Sequence, residues 1–184
     1  MIGGWYTSGI ITAWSGLPVT VLESTQAFGD GVVLGANTAA IPVNGLPTTG
    51  MHDNVGGSNG YGTTGGSNRT GKNLFASPQA AFGDFRPILL SADGRTGRAN
   101  PLRGLPFKNF DLSLGKETAV TERIRVRFSA DFFNIFNHPN FANPTSSQLS
   151  LQNPQSFGVI TSTFIPPNQT NSARWIEFGL RVEF

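Results

Sequence analysis

Three features of this 184-residue sequence predict an all-β fold of antiparallel strands, a partial transmembrane β-barrel of about four strands with very long loops. Stretches of about ten residues alternate apolar and polar side chains. The connections between them are short on one side and very long on the other. Charged residues make up only 13% of the chain, against about a quarter in an ordinary soluble domain. A strand turns successive side chains to opposite faces, so a period of two makes one greasy face and one wet face. About 10 tilted residues also suffice for a strand to cross a bilayer.

The clearest of these stretches is the last, R-W-I-E-F-G-L-R-V-E-F over 174–184. Ile176, Phe178, Leu180, Val182 and Phe184 share one face, and Glu177, Gly179, Arg181 and Glu183 the other, with Trp175 an exception near the start. Residues 107–117 give a second strand, with Phe110, Leu112 and Leu114 against Asn109, Asp111, Ser113 and Gly115. After a short turn over 117–121, a third runs through about 121–136. Ile124, Val126, Phe128, Ala130 and Phe132 oppose Arg123, Arg125, Arg127, Ser129 and Asp131. Beyond Phe132 the pattern turns aromatic on both sides, as where a strand leaves the membrane. A less regular strand is predicted over about 4–15, with Ser15-Gly16-Leu17-Pro18 ending or bending it and Val19–Leu22 extending it. The predicted sheet has 107–117, 121–136 and 174–184 as consecutive neighbours and an unpaired edge at 4–15.

Between these strands lie two long connections, about 23–105 and about 138–173. Gly (23) and Pro (12) together make about a fifth of the chain, against a usual ~12%. Gly56–Gly71 is low in complexity and offers almost nothing apolar to bury, so disordered loops are expected here. Asn73–Leu90 is a candidate short helix or packed turn. Such lengths argue against a compact soluble domain but suit the outward loops of a membrane barrel. Few residues outside the strands are available for a covering second sheet.

The chemistry-bearing residues are sparse. There is no cysteine, hence no disulfide or thiolate metal site. No run reaches the ~18 apolar residues of a membrane helix. The first residues do not read as a signal peptide, so export implies that Met1 is not the natural start. Residues 1–60 carry Glu23, Asp30 and Asp53 with no Lys or Arg, and the later basic residues are scattered, so no nucleic-acid partner is indicated. Gly60-x-Gly62-x-x-Gly65 lacks the flanking strand and helix of a dinucleotide site, and no cofactor is expected. His52 and His138 lie far apart, Asp30-Gly31 and Asp93-Gly94 read as turns, and no carboxylate pair is placed for acid–base work; an enzyme is not expected. Arg123, Arg125, Arg127 and Asp131 are candidate lumen-facing residues, because toward lipid each arginine would cost about 2–4 kcal/mol at the midplane. A solvated sheet face accounts for them equally well.

Several stretches, taken together, resemble a known family. N-P-L-R-G-L-P-F-K-N-F-D-L-S-L-G-K-E (100–117), R-I-R-V-R-F-S-A-D-F-F-N-I-F-N-H-P-N-F (123–141) and F-G-L-R-V-E-F (178–184) resemble the C-terminal end of TonB-dependent outer-membrane receptors. The nearest likeness is to the Oar-like branch with a carboxypeptidase-regulatory-like domain. G-W-Y-T-S-G-I-I-T-A-W-S-G-L-P-V-T-V (4–21) is similar to a preceding strand of that family. The resemblance implies a barrel of about 22 strands in the outer membrane of a Gram-negative-type bacterium, filled by an N-terminal plug. It implies import of a scarce bulky ligand, driven by a TonB complex. It further implies that Phe178, Leu180, Val182 and Phe184 are read by the barrel-assembly machinery. The implied partners are outer-membrane lipid, the plug and remaining strands, TonB and that machinery. No plug or TonB box is found in these residues, so the chain alone is not expected to transport. Arg86, Arg95, Arg98 and Arg103 are candidates to meet an anionic ligand or a lipopolysaccharide, although a solvated loop accounts for them more simply. The alternative is a soluble extracellular β-module for adhesion or glycan binding, with Trp5, Trp14 or Trp175 in a polar cleft.

Overall fold

The computed structural model describes residues 3–23, 39–53, 60–62, 71–93, 102–166 and 171–184. Long strands form where the two-residue alternation is clearest: β1 (Trp5–Trp14), β2 (Phe107–Ala119), β3 (Arg125–Phe133) and β4 (Trp175–Glu183). They make one antiparallel sheet in the order β1-β2-β3-β4, as chain order predicts. The fold is all-β and antiparallel, and the sheet is open. Among the described residues neither outer edge, on β1 or β4, has a partner strand.

The register has one consequence for the whole sheet. Residues directly opposite each other share a face. Leu112 pairs with Phe132, which pairs with Ile176; Leu114 pairs with Ala130, and Ala130 with Phe178. Phe128 pairs with Leu180 and Val126 with Val182, while Ile11 joins the same face opposite Phe110. The apolar positions of four separate strands thus merge into one surface.

Strand ends depart from the alternation, each for a local reason. β2 runs through Glu117 to Ala119 instead of turning at 117, because Glu117 pairs with Arg127 and Ala119 with Arg125 in the ladder. The turn moves to residues 120–124, where Thr121 Oγ1 accepts the N–H groups of Arg123 (3.3 Å) and Ile124 (3.0 Å). β3 stops at Phe133 because Asn134 adopts φ 50°, a left-handed conformation that leaves the strand. Its side chain occupies the exit, taking the His138 N–H at 2.9 Å and donating to the carbonyls of His138 and Ser172 at 3.0 Å each. One glycine is dictated by packing. A Cβ on Gly115 would stand 2.0 Å from Cζ of Tyr6, its direct partner on β1, so the ring lies flat over bare backbone.

The chain divides into two compact units: Met1–Trp14, Phe107–Asn140 and Thr163–Phe184 form the sheet unit, and Ser15–Pro106 with Phe141–Ser162 the other. The second unit corrects the expectation of disordered connections. It has a core of its own, including Val21, Leu74, Phe75, Phe85, Leu102, Leu149 and Phe157. Phe75 stacks on Phe157 at 5.2 Å, and Phe82 meets Phe157 edge-on at 5.1 Å. Asn73, wholly buried, donates to the Phe157 carbonyl and accepts from the Phe75 N–H, both at 2.9 Å. Backbone order comes from small ladders, Pro18–Val19 with Leu102–Arg103, Ile41–Pro42 with Phe85–Arg86, and Lys72–Asn73 between His52–Asp53 and Val159–Ile160. Val19–Leu22 therefore does not extend β1; it belongs to this unit. The candidate segment 73–90 holds a helix, Pro78–Gly83, started by Pro78 and by the Ser77 hydroxyl, which takes the Ala80 N–H at 3.4 Å. Most of the low-complexity tract 56–71 lies outside the described residues.

Arg86 and Asp93 close one turn of this unit. Both terminal guanidinium nitrogens reach the carboxylate, at 2.6 and 2.8 Å, and the Leu89 N–H adds a third bond at 2.8 Å. The hydrogen bonds from Arg86, then from Leu89, hold the Asp93 carboxyl down at about 2 from an ordinary 3.8, and the same pairing raises Arg86.

Two outcomes follow from these contacts. A carboxyl depressed on folding contributes stability that is fully present above about pH 4 and is lost as pH falls. Hydrogen exchange in 85–93, corrected for intrinsic rates, should therefore stay protected at pH 5 and open as pH falls toward 2. In Asp93→Asn it should be open to the same degree at both, and protection unaffected by that substitution would contradict the pairing. In the sheet, a double-mutant cycle of Tyr6→Ala and Gly115→Ala should give a coupling of about 1 kcal/mol or more. The alanine at 115 should be tolerated only once the ring is gone; additive effects would show that the ring does not rest there.

Candidate functional site

The two faces of the sheet differ in chemistry. On the apolar face, β4 presents Phe178 and Leu180, each 71% exposed, beside Val182, and Ile11 on β1 is 78% exposed. Phe128 stacks against Phe178 at 6.1 Å. Water does not favour so continuous an apolar surface, and apolar patches on soluble monomers rarely exceed a few hundred Å². Lipid accommodates it. Polar groups on this face are satisfied or peripheral: Thr7 Oγ1 donates to the Ser113 carbonyl at 3.1 Å. Lys108 and Lys116 share it too, and each lies toward an end of β2, where a cation facing lipid costs about 0–1 kcal/mol rather than about 2–4 at the midplane.

The opposite face carries the charge. Arg127 donates to Glu117 Oε2 at 3.1 Å, with Arg125 3.6 Å from Oε1 of the same carboxylate. Arg181 and Glu183 pair at 3.0 Å on β4. The Ser113 hydroxyl donates to Asp131. Asp111 Oδ1 accepts from Asn109 at 2.9 Å and from the Asn134 N–H at 2.8 Å. Two like-charged pairs stand directly opposite, Arg127 with Arg181 and Asp131 with Glu177. Such pairs repel, and the Arg pair is offset by Glu117 and Glu183 beside it. Of the sequence candidates, Arg125, Arg127 and Asp131 share this face, whereas Arg123 lies in the exposed turn at 120–124. Glu117 and Arg181 were not singled out as candidates, although they complete the network. Glu117 has the parity of Asn109 to Gly115, and only the hairpin register reveals its partners.

The sheet's ends are aromatic. At the end from which both long connections leave, Trp14 stacks on Phe107 at 4.0 Å and meets Phe164 edge-on at 6.1 Å. Phe110 stacks on Phe136 at 5.6 Å, and Trp175 tilts against Phe133 at 6.0 Å. At the tight-turn end, Lys116 Nζ sits 4.9 Å over the ring of Trp5. The three tryptophans are thus packed on rings or a cation rather than arrayed along one polar cleft. By register Trp5 and Phe110 stand near the two ends of the apolar band, as the girdles of a membrane barrel do, whereas Trp14, Phe107, Phe133 and Trp175 lie on the charged face.

Elsewhere the candidates disperse. His52 pairs with Asn73 in a short ladder, and His138 is exposed beyond Asn134. Among the described residues no group of three His, Asp or Glu side chains could hold a metal ion. Gly62 donates its N–H to the Pro154 carbonyl at 2.8 Å, while Gly65 lies outside the described residues. Arg86 is engaged with Asp93, and Arg103 reaches the Gly16 carbonyl at 3.4 Å. Arg95, Arg98 and the Asp30-Gly31 turn lie outside the described residues.

Comparison with known families agrees with the two-faced sheet. The profile of an outer membrane beta barrel domain matches residues 1–177. No curated protein matches the chain, and no solved structure matches it. The match covers nearly the whole chain, lipid is the partner it implies, and the soluble-module alternative gives way to an outer-membrane location. With its open antiparallel sheet, apolar on one face and ion-paired on the other, the chain belongs to the outer membrane β-barrel domain family.

Proposed function

We propose that this chain is the C-terminal part of the barrel of a TonB-dependent receptor that imports a scarce, bulky ligand. The observation that carries this reading is that one chain has both a charged sheet face and a second unit folded from parts of the long connections. A plain pore needs only a wet lumen. A receptor also needs a shaped surface where ligand arrives, and rigid loops supply one at lower entropic cost than mobile ones. The motifs at 100–117 and 123–141 support the same reading by resemblance.

In this account Arg125, Arg127 and Asp131 face the lumen and its plug, with Arg123 at the turn end. The exposed ladder Phe178, Leu180, Val182 and Phe184 serves as the assembly signal until neighbouring strands and lipid cover it. The tight turn at 120–124 faces the periplasm, and both long connections face outward.

The test uses the complete protein that contains this chain, reconstituted in a planar bilayer. A plugged receptor gives no steady conductance, and the periplasmic domain of TonB retains it on a column. A steady open conductance with no retention would replace the receptor by a porin-like pore.

A further inference from the structure

On the apolar face, at the end from which the long connections leave, the sheet holds a hollow of about 640 Å³. Its lining includes Ile11, Ala13, Lys108, Phe110, Phe136 and His138. The register explains the shape. Ile11 lies opposite Phe110 and Ala13 opposite Lys108, so these four make one block on the lipid side, and the small Ala13 leaves the space. Phe136 forms a wall by stacking on Phe110.

The hollow is built rather than incidental. Asn140, buried, accepts the Lys108 N–H at 2.9 Å and donates to its carbonyl at 2.8 Å, fixing the backbone that carries the ammonium. The Ile135 N–H bonds the Phe110 carbonyl at 3.0 Å, and the left-handed Asn134 and Asn137 bracket Phe136. The two lysines of this face also differ. Lys116 rests over the Trp5 ring, whereas among the described residues the Lys108 ammonium is paired with no carboxylate and no ring.

We propose that this hollow holds one molecule of the phosphorylated, acylated glycolipid of the outer leaflet. An acyl chain lies against Ile11, Phe110 and Phe136, and a phosphate meets the Lys108 ammonium with the His138 imidazole beside it. Charge complementarity selects the occupant: an unpaired cation at the edge of an apolar groove in a membrane calls for an anionic head on an apolar tail. A space of several hundred Å³ admits one acyl chain with the phosphate, and the remaining chains of the glycolipid lie in the leaflet. The inference rests on the outer-membrane location and on the long connections facing outward. It does not depend on TonB or on transport.

The complete protein, extracted in mild detergent, is examined by native mass spectrometry with three defined lipids. These are a bisphosphorylated hexa-acyl lipid A, the same lipid without phosphates, and phosphatidylglycerol. The expected result is one bound lipid A, retained at least tenfold better than either of the others. Lys108→Gln lowers retention about tenfold, Lys108→Arg restores it, and Lys116→Gln leaves it unchanged. Phe136→Ala, at a side chain 75% exposed and so tolerant of truncation, lowers it as well and serves if Lys108→Gln fails to fold. Equal retention of phosphatidylglycerol or of the dephosphorylated lipid overturns the proposal, as does wild-type retention by a folded Lys108→Gln or Phe136→Ala protein.

Discussion

The cross-strand register of the four-stranded sheet is the constraint on which everything else depends. Because side chains alternate with a period of two, a slip of one residue in any strand would carry its apolar set to the wet face. For β3 the slip would turn Arg125, Arg127 and Asp131 into lipid and leave Glu117 without its partners. Register is therefore specified twice, by the apolar surface on one side and by the ion-paired ladder on the other. Neither alone would suffice: surface ion pairs are worth little, and an apolar face in lipid lacks the hydrophobic drive it has in water.

The same constraint orders the rest of the chain. In hydrocarbon every backbone N–H and C=O must find a partner within the protein, so an open sheet edge is not tolerated there. Among the described residues the outer edges of β1 and β4 carry no partner strand, so in hydrocarbon each edge would have to be covered. At the tight turn, where water is available, Thr121 Oγ1 suffices to end the ladder. At the other end the strands give way to aromatic stacks and to Asn134, whose side-chain bonds hold the exit of β3 to Ser172, ahead of β4. The second unit obeys different rules: it buries phenylalanines in the ordinary way and satisfies the wholly buried amide of Asn73 with two backbone bonds.

The sheet was legible in the sequence because alternation is a local signal. Ile176 to Phe184, Ile124 to Phe132 and Phe110 to Leu114 announce their faces without reference to any partner. The turn lies at 120–124 rather than 117–121 because the apolar alternation lapses after Leu114, and only pairing across the hairpin draws Thr118 and Ala119 into β2. The second unit was not legible. Its core residues, such as Val21, Leu74, Leu102 and Phe157, are isolated apolar positions set among Gly, Asn and Pro, and far apart in the chain. No periodicity marks them, and long-range closure is what makes them a core. Lys108 is not legible for a related reason: a single cation at a strand end reads as an ordinary surface residue, and only the fold sets Ala13, Phe110 and Phe136 around it.

The central claim is that one face of this sheet meets lipid and the other meets water, and adjacent residues of one strand test it most directly. The 184 residues contain no cysteine, so in a complete protein whose other cysteines are replaced by serine, single cysteines at Phe128 and at Ser129 report on opposite faces. In the complete protein within outer-membrane vesicles, a small water-soluble maleimide that enters the lumen should label Ser129→Cys and leave Phe128→Cys unreacted. A lipid-soluble reagent should give the reverse. Equal labelling of both positions, or labelling with the faces exchanged, would contradict the account.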